Sequence, residues 1–158
     1  QLGSLSWLCP SFYVKSGPLL LSAAALKKNN PAVMEKEMAL YYNSANTILY
    51  CLHWQQTVAF YRDKLGLGIN FSNDWFVEFL LNDRARLSIA DQSRASVKTS
   101  SGHGITLALE TRDIESAWTQ LNKKGILLTQ IRDHSWGARV FYFFDPEGHR
   151  IEIWQSRQ

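Results

Sequence analysis

The sequence predicts an α+β fold of two similar βαβββ modules, and three observations carry that expectation. Residues 143–154 read as a strand, a tight turn at Asp145-Pro146-Glu147-Gly148, and a second strand. Proline presets φ at the second turn position, and glycine supplies a positive φ near its end. Residues 76–91 repeat the pattern more weakly, with a turn around Asn82-Asp83. Each hairpin is preceded by a strand and an amphipathic helix, and the two sets lie about 60 residues apart, too long a period for a solenoid unit. Two copies of one half-fold imply a pseudo-twofold domain with a cleft between the halves.

The elements follow in order. Residues 46–52 form a strand, then 54–65 a helix in which Trp54, Val58, Tyr61 and Leu65 share one stripe and Gly66 is the C′ stop. In the first hairpin Leu87 and Ile89 alternate with Arg86, Ser88 and Ala90. Residues 104–110 form the next strand, and 113–124 a helix with Ile114, Ala117, Trp118 and Leu121 inward, Asp113 as N-cap and Gly125 beyond its end. In the last strand Arg150, Glu152 and Trp154 share one face, and Ile151 and Ile153 the other. A carboxylate between two buried positions needs a ligand, a metal or an ion pair. The expected domain is 44–158, with module one at 44–92 and module two at 103–156.

Phe60-Tyr61-Arg62-Asp63-Lys64-Leu65-Gly66-Leu67, followed much later by Phe144-Asp145-Pro146-Glu147-Gly148-His149-Arg150-Ile151-Glu152, resembles the vicinal oxygen chelate superfamily of glyoxalases, bleomycin-resistance proteins and extradiol dioxygenases. The resemblance covers residues 46–155. It implies that each half curls part of an incomplete barrel around a cavity, and that the chain dimerises. Metal-dependent members place a ligand, usually His or Glu, on the first and last strand of each half. Carried onto this chain, those four slots fall on Asn46, Ser88, Thr106 and Glu152. Strand parity agrees: Leu49, Leu87, Ile89, Ile105, Leu107, Leu109, Ile151 and Ile153 are odd-numbered and apolar and should face the helices, leaving the even-numbered slots on the cavity side.

One ligand of four is thus kept, and Asn, Ser and Thr are poor ligands for a catalytic zinc, iron or nickel ion. The histidines do not substitute. His103 and His149 have the wrong parity, His53 lies beyond the first strand, and His134 sits in a connection. No metal and no cofactor are therefore expected. The resemblance then points to the metal-free, drug-sequestering branch, for which an aromatic cleft and a few polar groups suffice. Tyr50 and Trp154 fall on the cavity phase beside Glu152, and Trp136 lies in the loop before the last hairpin. Trp75, Phe76 and Phe79 lie in the adjoining strand on a face the sequence leaves open. Arg86 and Arg150 are the candidate partners of Glu152. The expected ligand-binding set is Asn46, Tyr50, Arg86, Ser88, Thr106, Trp136, Glu152 and Trp154. The turn 145–148 is read as a mark of the fold with no chemistry of its own.

The chain carries +3 with a pI near 8.9. From Met38 onward 13 Lys/Arg face 12 Asp/Glu, so the excess lies ahead of the domain, and no basic run is suited to tracking phosphates. Nucleic acid is not an expected partner. Near-neutrality also argues against a trap for polycationic drugs. Residues 1–43 carry Pro10, Pro18 and Pro31 and no clean period. They read as sequence carried ahead of the domain, or as an extension docked through Trp7, Leu8, Phe12 and Tyr13. The apolar run 19–26 is too short to span a bilayer. Cys9 and Cys51 are too few for a disulfide framework, which fits a cytoplasmic protein, and Cys51 reads as a small buried hydrophobe.

Three functions stay open at this point. The first is a metal-free small-molecule binder. The second is a lyase, isomerase or dioxygenase-like enzyme of the same superfamily. Without metal its base would be Glu152, buried and free of a cationic partner. The third is a module whose cavity is filled by Trp154 and Tyr50.

Overall fold

The computed structural model describes residues 40–157, and the chain divides after Tyr41. Most of the expected extension at 1–43, with its docking aromatics and Cys9, lies outside the described residues. From Tyr42 onward the structure is α+β, with two four-stranded sheets of one topology. The first comprises β1 (Ala45–Cys51), β2 (Ile69–Ser72), β3 (Phe76–Leu80) and β4 (Ala85–Asp91), in the order β1-β4-β3-β2. The second comprises β5 (Thr106–Glu110), β6 (Arg132–His134), β7 (Ala138–Phe144) and β8 (Arg150–Ser156), in the order β5-β8-β7-β6. In each, the first strand runs parallel to the last, and the other pairs are antiparallel. The parallel pair requires a crossover, and each module's helix lies in it.

Helix α1 (Trp54–Ala59) and a π-helical segment (Phe60–Lys64) replace the single helix expected over 54–65. The N–H of Leu65 reaches back to the carbonyl of Phe60, widening the turn by one residue. Phe60 and Tyr61 both pack inward: Phe60 lies between the two cores, 6.2 Å from the Phe143 ring, and Tyr61 is fully buried. Helix α2 (Ile114–Lys123) begins at Asp113, whose side chain accepts the Ser116 N–H at 2.9 Å. At its end Gly125 takes φ +73 and its N–H meets the Asn122 carbonyl.

The parity expectation holds for Leu49, Leu87, Ile89, Ile151 and Ile153, all buried, and for Leu107 and Leu109, half-buried. It fails for Ile105, which precedes β5 and is 38% exposed. The strand starts at Thr106, where pairing to Arg150 begins, so no partner strand sets a face for residue 105. Phe79 takes the helix side and joins the core of module one, whereas Phe76 pairs with Ala90 in an even-numbered row. The short strands β2 and β6 were not placed from the sequence. Their residues are exposed throughout, without the hydrophobic alternation that marks a buried face.

The two halves are tied at the turn between β7 and β8. Asp145 is buried, and its carboxylate accepts from the Tyr61 hydroxyl at 3.0 Å, the Glu147 N–H at 2.9 Å, the His149 N–H at 2.8 Å and His149 Nδ1 at 2.9 Å. Glu147, also buried, accepts from the backbone N–H and Nδ1 of His53 at the start of α1. Gly148 supplies the positive φ expected of it, +88. Gly102 closes over this turn, where a Cβ would lie 2.2 Å from the Gly148 carbonyl, so only glycine fits. The turn read as a mark of the fold thus holds both modules together.

Two outcomes are expected. Tyr61→Phe removes one donor from a buried carboxylate and should cost about 2 kcal/mol, read as a lower urea midpoint at unchanged m. Cys51 is fully buried, and burial first, then the charges of Glu147 and Asp145, push its thiol well above the ordinary value of 9.0. A raised folded pKa contributes stability that is whole below pH 9 and shrinks above it, where only the unfolded chain ionises. Between pH 8 and pH 10 the protein should lose about 1.4 kcal/mol more stability than Cys51→Ala. Urea titrations at the two pH values check this.

Candidate functional site

The even-numbered positions of each sheet form rows on the face away from the helices, and register decides which side chains meet. In module one, Asn46 stands beside Arg86, Ile48 beside Ser88 and Glu78, and Tyr50 beside Ala90 and Phe76. In module two, Thr106 stands beside Arg150 and Phe144, Ala108 beside Glu152 and Tyr142, and Glu110 beside Trp154 and Val140.

Module one builds a polar network centred on Glu78. The Asn46 amide donates to Glu78 Oε2 at 2.9 Å, the Asn70 amide to Oε1 at 2.6 Å, and the buried Ser88 hydroxyl to Asn46 Oδ1 at 3.0 Å. Two amides pointed at one carboxylate satisfy its charge without a cation. Glu78 and Asn70 were not singled out from the sequence. The signal was present for Glu78: Phe76-Val77-Glu78-Phe79-Leu80 sets a carboxylate mid-strand between apolar neighbours, as at Glu152. Arg86 stays with its own hairpin, donating to the carbonyls of Asn82 at 2.7 Å and Ala85 at 3.2 Å.

Module two gathers a different chemistry. Arg150 Nη2 donates to Glu152 Oε2 at 2.7 Å, and the same guanidinium lies 4.3 Å from the Tyr142 ring centroid. Of the two candidate partners of Glu152, the structure supplies Arg150. Trp136, in the turn between β6 and β7, stands 6.4 Å from Trp154 and 5.6 Å from His134, centroid to centroid. Tyr142, Arg132 and His134 are further residues of this face that were not foreseen, because β6 itself was not. A cavity of about 170 Å³ opens here, lined by Arg132, His134, Val140, Tyr142 and Arg150 among others.

The eight expected residues therefore fall into distinct groups. Asn46 and Ser88 meet each other, Arg86 serves a turn, and Tyr50 is half-buried beside Ala90. Trp136, Glu152 and Trp154 collect in module two, with Thr106 exposed at the end of that face. Among the described residues no hydrogen bond or ion pair joins the module-one group to the module-two group.

The four slots do not fit a catalytic transition metal. Asn46 and Ser88 are spent on each other and on Glu78, Thr106 offers a hydroxyl, and Glu152 is held by Arg150. Among the described residues there is no group of three or more His, Cys, Asp or Glu side chains that could hold a metal ion, and no helix long and apolar enough to cross a membrane.

Comparison with known proteins gives three results. The family model described as the Glyoxalase/Bleomycin resistance protein/Dioxygenase superfamily matches residues 45–153. The Bacillus subtilis protein YraH is 26% identical over 115 residues, covering 65% of this chain and 89% of its own. Solved structures share the fold. A glyoxalase/bleomycin resistance protein/dioxygenase from Nocardioides superposes with a TM-score of 0.65 at 21% identity, covering 80% of this chain and 92% of its own. A lactoylglutathione lyase from Agrobacterium tumefaciens gives 0.60 at 23%, with 70% and 90% covered. The antibiotic-binding protein TnmS3 from Streptomyces sp. CB03234 gives 0.63 at 18%, with 75% and 98% covered.

If Glu78 organises the module-one face, Glu78→Gln should turn one amide donor of the pair against another. The expected cost is about 1 kcal/mol in a urea titration, with m unchanged.

Proposed function

Because the chain belongs to the glyoxalase/bleomycin resistance protein/dioxygenase superfamily, its ligand slots bear directly on its chemistry, and we propose that it is a metal-free protein that binds an aromatic or polar, antibiotic-like compound in its cleft. The observation that carries this reading is the state of the slots: three hold amide or hydroxyl side chains, and the fourth, Glu152, pairs with Arg150. What remains on the same face suits recognition. Trp136 and Trp154 offer flat apolar surface, and Tyr142, Thr106 and Glu152 offer hydrogen bonds. The fold shared with TnmS3 is consistent with a binding role, since that protein is described as antibiotic-binding.

A homodimer in the cytoplasm completes the reading. Ile48, Leu80 and Phe144 are large, exposed and on even-numbered positions of the sheets, surface that a second copy would cover.

An enzyme of the same superfamily is the second reading, favoured by the position of Glu152 on the cavity face of β8. Arg150 takes Oε2 of Glu152, so a base there would have to act through Oε1 alone beside a guanidinium, which weighs against it. Glu152→Gln separates the two: a binder loses affinity modestly, whereas an enzyme loses turnover by orders of magnitude with binding intact.

Elemental analysis after exposure to zinc, iron, nickel and manganese, followed by desalting, should find less than about a tenth of an equivalent. Near one equivalent, lost in Glu152→Ala, would overturn the metal-free reading. Quenching of tryptophan fluorescence by aromatic compounds should weaken about tenfold in Trp136→Ala if the indole pair forms the platform.

A further inference from the structure

We propose that the pocket between β6, β7 and β8 is an anion subsite that takes the oxyanion of a small aromatic acid. This rests on the binding reading above and names the class of ligand.

The charges lining the pocket do not cancel. Arg132 and Arg150 both line it and no carboxylate does; Glu152, on the same face, is matched by Arg150, and Glu110 stands on the far side of Trp154 from Val140. Arg132 forms no ion pair among the described residues. Its neighbour Asp133, one residue on and so of opposite parity, is engaged elsewhere by Arg139 at 3.5 Å and by Arg157. A cation is therefore left over at the pocket wall. His134, also in the lining, offers a ring nitrogen as a further polar group.

Donors are left over as well. Glu152 takes only Nη2 of Arg150. The Nε–H of that guanidinium is buried and meets no acceptor, and a buried donor without a partner is costly. No hydrogen bond engages Nη1 of Arg150 or the Tyr142 hydroxyl among the described residues. An oxyanion in the pocket would face Arg132 and the unused Nη1 of Arg150 together, charge-assisted donors of the kind that favour carboxylates and phosphates. An ammonium group there would meet two guanidinium groups and one carboxylate already in use.

The size and the walls select what carries the anion. At ~30 Å³ per water, 170 Å³ equals about six waters, room for an acid group and a single ring. Val140 and the Tyr142 ring supply an apolar wall, and the Trp136–Trp154 pair stands on the same face. Benzoate is the minimal compound with these features.

Calorimetric titration of the whole chain with benzoate, benzyl alcohol and benzylamine tests the subsite. Benzoate should bind at least about tenfold more tightly than the alcohol, and the amine more weakly than either. Arg132→Gln, at an exposed position, should cut benzoate affinity about tenfold and leave the alcohol unchanged, with Arg132→Lys between the two. Equal affinities for acid, alcohol and amine would overturn the anion subsite and leave the binding reading standing. Benzoate binding that survives Arg132→Gln at full strength would also overturn it. No binding of any of the three, by heat and by tryptophan quenching, would overturn the subsite, and the metal analysis then judges the broader reading on its own.

Discussion

Asp145 is a carboxylate held out of solvent, and burying such a group is tolerable only when its lone pairs are all met. Two of its partners are backbone N–H groups of its own turn, one is the ring of His149, and one is the hydroxyl of Tyr61 on the other half of the molecule. Glu147, two residues on, reaches His53 in that same half. The tight turn between β7 and β8 and the join between the modules are thus one arrangement. The shared apolar contacts of Phe60, Leu65 and Leu107, which touch both cores, close around it. Burial first, then the charge of Asp145, pushes the Tyr61 hydroxyl up, and burial with the charges of Glu147 and Asp145 does the same for the Cys51 thiol.

With the halves joined on the helix side, the even-numbered faces of the sheets are left open for other work. They have diverged although their strand orders are the same. In module one the carboxylate stands on β3, at Glu78, with serine beside it on β4; in module two it stands on β8, at Glu152, with Tyr142 beside it on β7. The acid occupies the same row in both, one strand over. Two amides surround the first and a guanidinium the second. One face of the fold therefore presents a carboxylate held by neutral amides, and the other a charged pair beside indole rings.

Much of the fold was legible because its signals are strong and local. The paired hairpins, the two inward helix stripes, the Asp113 cap and the stops at Gly66 and Gly125 can each be read within a short stretch of sequence. The parity of β4 and β8 put Ser88 and Glu152 on the correct face. What escaped has physical reasons. A π turn at Phe60–Lys64 depends on packing between two cores, which no helical period records. The edge strands β2 and β6 have no buried face, so their pattern is silent, and with β6 went Arg132 and His134. Two arginines compete for Glu152 in the sequence, and the choice falls on Arg150, two residues away on the same strand, because Arg86 is bonded to its own hairpin. Glu78 has the same mid-strand signal as Glu152 but lies on the strand next to a slot, beside Ser88, so the family pattern does not point to it.

The contacts that join the halves are also the most distant along the chain. Tyr61 and Asp145 are 84 residues apart, and His53 and Glu147 are 94. The hairpin contacts within each module are far closer in sequence, and short loops close sooner and at lower entropic cost than long ones. During synthesis from the N-terminus, every strand of module one has been made once Asp91 has emerged. The tie cannot close until His149 has followed. Until then the Tyr61 hydroxyl and the side of Phe60 that meets Phe143 lack their partners, and the growing chain must keep that surface from other contacts for the time needed to make almost sixty more residues, a few seconds at ~10 residues per second.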